Sequence, residues 1–126
     1  MIYYKVVVAN KNRLTSAMLM ETNPFFRVYQ DEDKKNQIVE HGLVFTSLTA
    51  ARGFRAFHCP YAQIWECKGQ KISLPKRLFN SNTAQVKNVL DYVLYGKKFS
   101  GTVPNDKLPL GTIRLKNLQL IRKVES

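Results

Sequence analysis

The side chains best suited to covalent or metal chemistry lie between residues 41 and 67: His41, His58, Cys59, Glu66 and Cys67, with Asp106 further along. Zinc takes about four nitrogen or sulfur ligands around a tetrahedron, and the short Cys-x-x-Cys and His-x-x-x-His pairs that usually supply them are absent. Adjacent His58 and Cys59 point in different directions in an extended chain, so no metal is expected. A thiol nucleophile needs a neighbouring base and a lowered pKa. The basic surroundings can supply the second requirement, but no local motif supplies the first. Glu40, Glu66, Asp91 and Asp106 are isolated in sequence, so paired-carboxylate chemistry has no constellation to use. The glycines are scattered, without a Walker-type or dinucleotide-type run. No catalytic residue, metal or cofactor follows from these residues.

Anion recognition is better supported. The chain carries 20 Lys and Arg against 9 Asp and Glu, a formal net charge of +11. That excess favours a polyanionic partner: a nucleotide, a nucleic acid or an acidic protein surface. Residues 68–98 hold seven bases against Asp91 alone, whereas "QDEDKK" at 30–35 has the mixed charge of a solvated loop. Nucleic-acid binding needs bases for phosphates and aromatics for stacking. "ARGFRAFHCPY" at 51–61 has that composition, with Arg52 and Arg55 on one helix face beside Phe54, Phe57 and Tyr61. The ligand-binding set expected from sequence is Arg52, Arg55, Arg27 and Lys5 for charge, with Tyr4 and Phe54 as stacking surfaces. The competing reading makes the phenylalanines core and the arginines its rim.

The elements that must position these residues form a single domain spanning 1–126, long enough to bury a core without disulfide or metal staples. No stretch is apolar enough to cross a membrane and no signal peptide is expected, so the chain is placed in the cytoplasm. There Cys59 and Cys67 would be reduced thiols, although the short segment between them would also allow a disulfide. Residues 2–8 read as a central strand, followed by the turn "ANKNR", a weaker strand from Leu14 and another at 25–29. "GLVF" at 42–45 is a short buried strand. Thr46 or Ser47 then caps a helix over 48–57, with Leu48, Ala51 and Phe54 or Phe57 on one face. "YAQIWECKG" and "KISL" read as two strands across "KGQ", and "TIRL" and "LQLIRKV" as a last strand pair. A second helix over 83–95 is predicted from the Asn82 and Gln85 capping signal and the stripe Val86, Val89, Leu90, Val93 and Leu94. This order predicts an α+β fold, a twisted and largely antiparallel sheet with two main helices.

The run 41–69 resembles the middle of the ADP-ribosyltransferase fold of poly-ADP-ribose polymerases. Gly42, Leu43, Val44 and Phe45 match a strand of that family, and Trp65, Glu66, Cys67 and Gly69 echo a later one. Val44 stands where the family's activity needs a tyrosine. Tyr3, Tyr4 and Lys5 stand where a histidine or arginine is expected, and no late glutamate precedes the final strands. The resemblance therefore implies a scaffold with a cleft and without the transferase machinery. In overall character the chain also resembles the small basic accessory proteins of phages and viruses, which would place it in the host cytoplasm. The function expected from sequence is a non-catalytic binding protein with a basic cleft for a nucleotide, a nucleic acid or an acidic host factor. The alternatives are an ADP-ribosyltransferase-like enzyme, the one reading that calls for NAD, and an inhibitor acting by protein–protein contact. A homodimer through an exposed strand edge is a further expectation.

Overall fold

The computed structural model describes residues 1–17, 20–21, 28–74, 76–80, 102–104 and 108–126. Their elements are β1 (Tyr3–Asn10), β2 (Arg13–Ser16), β3 (Met20–Glu21), β4 (Val28–Gln30), β5 (Val39–Phe45), α1 (Leu48–His58), β6 (Gln63–Ile72), β7 (Arg77–Asn80), β8 (Thr102–Pro104) and β9 (Thr112–Glu125). The protein is mostly β, with one short helix among the described residues, and not the α+β fold with two main helices predicted from sequence. The expected helix over 83–95 lies outside the described residues.

Four antiparallel strands close on themselves in the order β1, β5, β9, β6 and back to β1. One edge of β1 pairs with β6 from Tyr3↔Cys67 to Val7↔Gln63. Its other edge is shared, Tyr4 pairing with Phe45 of β5 and residues 7–10 pairing with β2. β4 lies beyond β2, and β3, β7 and β8 form a separate small sheet. Closing so few strands demands strong local bending, which bulges provide. β6 shifts register against β9 at Ile64/Trp65, Glu66/Cys67 and Lys68/Gln70, and Asn117 of β9 takes a φ of 51°.

Those bulges explain two corrections to the sequence reading. "KGQ" and the polar "KN" at 116–117 are not hairpin turns, because β6 and β9 run through them as continuous strands of 10 and 14 residues. Asn tolerates the left-handed region better than most residues, so Asn117 bends the strand without ending it. Gly69 permits close approach: a Cβ there would lie 2.9 Å from the Lys116 carbonyl oxygen and 3.1 Å from the Leu115 Cβ.

Strand alternation gives β1 two buried faces. Val6 points to a cluster with Leu43, Phe45, Ile64, Ala51 and Phe54, where α1 covers the sheet. Ser47 caps α1 by accepting from the Ala50 amide at 3.1 Å, and Phe54 is the phenylalanine that enters the core, whereas Phe57 is 89% exposed. Tyr3 and Val7 point the other way, into a cluster to which all four barrel strands contribute, including Val44, Cys67, Leu115, Leu118 and Leu120. Tyr29 of β4 joins it. Among the described residues no helix is long and apolar enough to cross a membrane.

Lys5 lies on β1 between Tyr3 and Val7 and is completely buried. Its ammonium donates to the Ser16 hydroxyl at 2.9 Å and the Leu43 carbonyl at 2.7 Å, and stands 5.0 Å from the centre of the Tyr29 ring. Burying an ammonium is costly unless such partners replace water. Lys5→Ala removes the donor and leaves a cavity, and is expected to cost about 2–5 kcal/mol in urea unfolding. Lys5→Met keeps most of the volume and should cost clearly less. A surface role for Lys5 would leave both variants as stable as the parent.

Candidate functional site

The residues expected from sequence do not converge on one cleft. Arg52 and Arg55 both bind Glu125 near the end of β9: Arg52 Nε donates to Oε2 at 2.6 Å, and an Arg55 guanidinium nitrogen donates to Oε1 at 2.6 Å. They clamp the last strand to α1. Lys5 is enclosed in the barrel, Phe54 is core and Tyr4 packs against the same cluster as Phe54. Arg27 lies outside the described residues. The two thiols are free and buried in separate clusters, Cys59 beneath α1 and Cys67 in the barrel. Burial pushes the Cys67 thiol up to about 12, against the opposing pull of the nearby Lys5 ammonium, so it stays protonated and poorly nucleophilic.

A different set of residues does converge. Where β1 and β9 end and β6 begins, a pocket of about 360 Å³ is lined by Lys11, Arg13, Lys34, Lys123, Gln30, Gln63 and Trp65, together with Ala9, Asn12 and Leu14. Four cations and an indole share this space, and among the described residues no carboxylate, imidazole or thiol lines it.

Local sequence accounts for each wall. Lys11 and Asn12 occupy the two-residue turn between β1 and β2 at φ of 52° and 65°, the positive pair of a type I′ turn, whose twist suits a hairpin. Lys34 sits in a loop organised by Asp31. The Asp31 carboxylate accepts from the amides of Asp33 at 3.0 Å and Lys35 at 2.9 Å, and from the Gln37 side chain at 2.8 Å. Trp65 pairs in register with Lys123 on one side and Lys5 on the other, and its ring rests half-buried against the barrel cluster. Its indole N–H donates to Gln63 Oε1 at 2.9 Å.

Arg13 also contacts Glu32 at 3.3 Å, but both side chains are more than half exposed. Such a pair is weak, so an incoming anion can take Arg13 at small cost. Outside the pocket, β6 and β9 expose Lys68, Lys71, Lys116 and Arg122, the last held by both oxygens of Glu66. A second groove of about 510 Å³ runs between α1 and residues 109–111, with Phe57 and Leu110 exposed at its rim.

Sequence reading passed over this pocket because its members are scattered: a turn residue, a loop lysine, the sole tryptophan and a lysine near the C-terminal end. One local signal was present. Gln63-x-Trp65 on a strand puts an amide and an indole on one face. Compared with known proteins, the chain matches no family model, no curated protein and no solved structure.

The clamp is sensitive to acid. Hydrogen bonding to Arg52, reinforced by its charge and by Arg55, holds the Glu125 carboxyl below the usual carboxylate range. A carboxyl whose folded pKa is lowered adds stability that is complete above its unfolded value and lost as pH falls through the folded one. Glu125→Gln is therefore expected to lower stability at neutral pH and to flatten its decline below about pH 4. Parallel urea midpoints for the two proteins from pH 7 to pH 2 check this; curves of identical shape would remove the clamp from the stability balance.

Proposed function

We propose that the chain is a non-catalytic binding protein for phosphate-bearing anions, nucleotide or single-stranded nucleic acid, and that the pocket around Trp65 is its binding site. The observation that carries this reading is the convergence of Lys11, Arg13, Lys34 and Lys123 on one concave space that Trp65 also lines. Clustered cations raise the local concentration of anions, and an aromatic face adds sequence-tolerant stacking. Among the described residues the lining holds no carboxylate, imidazole or thiol to act as general base or nucleophile, which favours binding over turnover. Its volume is at the small end of the roughly 300–1,000 Å³ typical of ligand pockets and suits one nucleotide unit better than a dinucleotide cofactor.

Trp65 is the only tryptophan in the chain, so its fluorescence reports on this pocket alone. Titration with a single-stranded oligonucleotide at low salt is expected to change that fluorescence, with affinity falling steeply as salt rises. Replacing Lys11, Lys34 and Lys123 by glutamine should reduce the slope of log K against log salt by about two, at roughly 0.7 per phosphate contact on a single strand. Unchanged fluorescence and no detectable complex at low salt would overturn the proposal.

A further inference from the structure

The hydrogen bonds around Trp65 fix the orientation of two amides, and with it what the pocket offers a ligand. An indole N–H can only donate, so the atom of Gln63 facing it must be the oxygen, and Gln63 Nε2 turns elsewhere. A backbone carbonyl can only accept, so Asn36 faces the Leu120 carbonyl, at 3.0 Å, with Nδ2. Asn36 Oδ1 then accepts from Gln30 Nε2 at 2.9 Å, which leaves Gln30 Oε1 over. Neither Gln63 Nε2 nor Gln30 Oε1 has a hydrogen-bond partner among the described residues, and both side chains line the pocket. Gln30 is nine-tenths buried and is fixed by this relay through Asn36 to β9. The amide atoms left over on these two lining residues are therefore one donor, on Gln63, and one acceptor, on Gln30.

A bare phosphate has no use for an acceptor or for an aromatic face. A nucleobase uses both, because its Watson–Crick edge sets a donor beside an acceptor and its face stacks. We infer that the pocket is a nucleobase site: the base stacks on Trp65 with its polar edge on Gln63 and Gln30, and the attached phosphate lies among Lys11, Lys34 and Lys123. Every common base offers a neighbouring donor and acceptor on that edge, so the site depends strongly on a base being present and only weakly on which one. This inference rests on the anion-binding reading and narrows it from charge to base.

The test compares four probes by Trp65 fluorescence in the parent and the Gln63 variant, and by displacement of a fluorescein-labelled oligonucleotide in every variant: a single-stranded homopolymer of twelve nucleotides, an abasic deoxyribose-phosphate oligomer of equal length, inorganic polyphosphate and a free 5′-mononucleotide. The homopolymer is expected to bind at least about tenfold more tightly than the abasic oligomer, since stacking contributes roughly 1–3 kcal/mol per base. Gln63→Leu and Trp65→Leu should each shrink that ratio, by weakening the homopolymer several-fold more than the abasic oligomer. Trp65→Phe keeps an aromatic ring if the leucine variant does not fold, and should retain most of the ratio. Mononucleotide binding close to the homopolymer's would assign the base to a free nucleotide, and much weaker binding would assign it to a strand. Equal affinity for homopolymer, abasic oligomer and polyphosphate would overturn the nucleobase site while leaving anion binding in place. No binding of any probe would remove both.

Discussion

The buried ammonium of Lys5 is the constraint around which the barrel is arranged. Lys5 belongs to β1, its hydrogen bonds reach Ser16 on β2 and Leu43 on β5, and it faces the ring of Tyr29 on β4. An apolar side chain there would pack in any register that filled the volume. An ammonium accepts only a register that brings oxygen to it, because the cost of a bare buried charge exceeds that of almost any packing defect. The group also orders the chain around it: Val7 and Val8 can pair with Ser16 and Thr15 while Ser16 faces the ammonium, and a one-residue slip would turn Ser16 to the other face.

From this centre the geometry propagates to the pocket. Lys5 is in register with Trp65, and Trp65 with Lys123, so one row across β1, β6 and β9 links the buried ammonium to two residues that line the pocket. The far end of β9 would be free to fray if pairing alone held it. Arg52 and Arg55 prevent this by gripping Glu125, two residues beyond Lys123. The arginines that the sequence suggests as ligand contacts thus hold the strand that carries Lys123.

What sequence made legible was local. A strand at 2–8 with two apolar faces, a turn within "ANKNR", a cap at Thr46 or Ser47 and a helix over 48–57 follow from nearest-neighbour chemistry; the structure places the turn at Lys11 and Asn12, the cap at Ser47 and Phe54 in the core. Closure was not legible, because it depends on bulges, and a bulge looks like a turn when read along one strand. "KGQ" and "KN" carry the residues of hairpin loops, yet each is bridged by a neighbouring strand that sequence alone cannot supply. Lys5 misled for the same reason: a lysine flanked by tyrosines and valines reads as an exposed cation until the strands that enclose it are known. The net charge suggested an anionic partner without locating a site for it. Its carriers sit on a turn, a loop and two distant strands, and only tertiary structure brings them to one place.

The division of labour within the pocket has a physical logic. The indole and Gln63 stand on β6 and Gln30 on β4, in the relay that ends at the Leu120 carbonyl of β9, so their geometry is as fixed as the barrel itself. Two of the cations, Lys11 and Lys34, stand on a turn and a loop, where long side chains can follow a phosphate that is not held at one point. Directional groups lose their value if they are displaced by an ångström, whereas a point charge on a flexible stem loses little. With the directional groups on strands and two of the four cations on connections, the proposed ligand would meet amides of fixed orientation and charges on flexible stems.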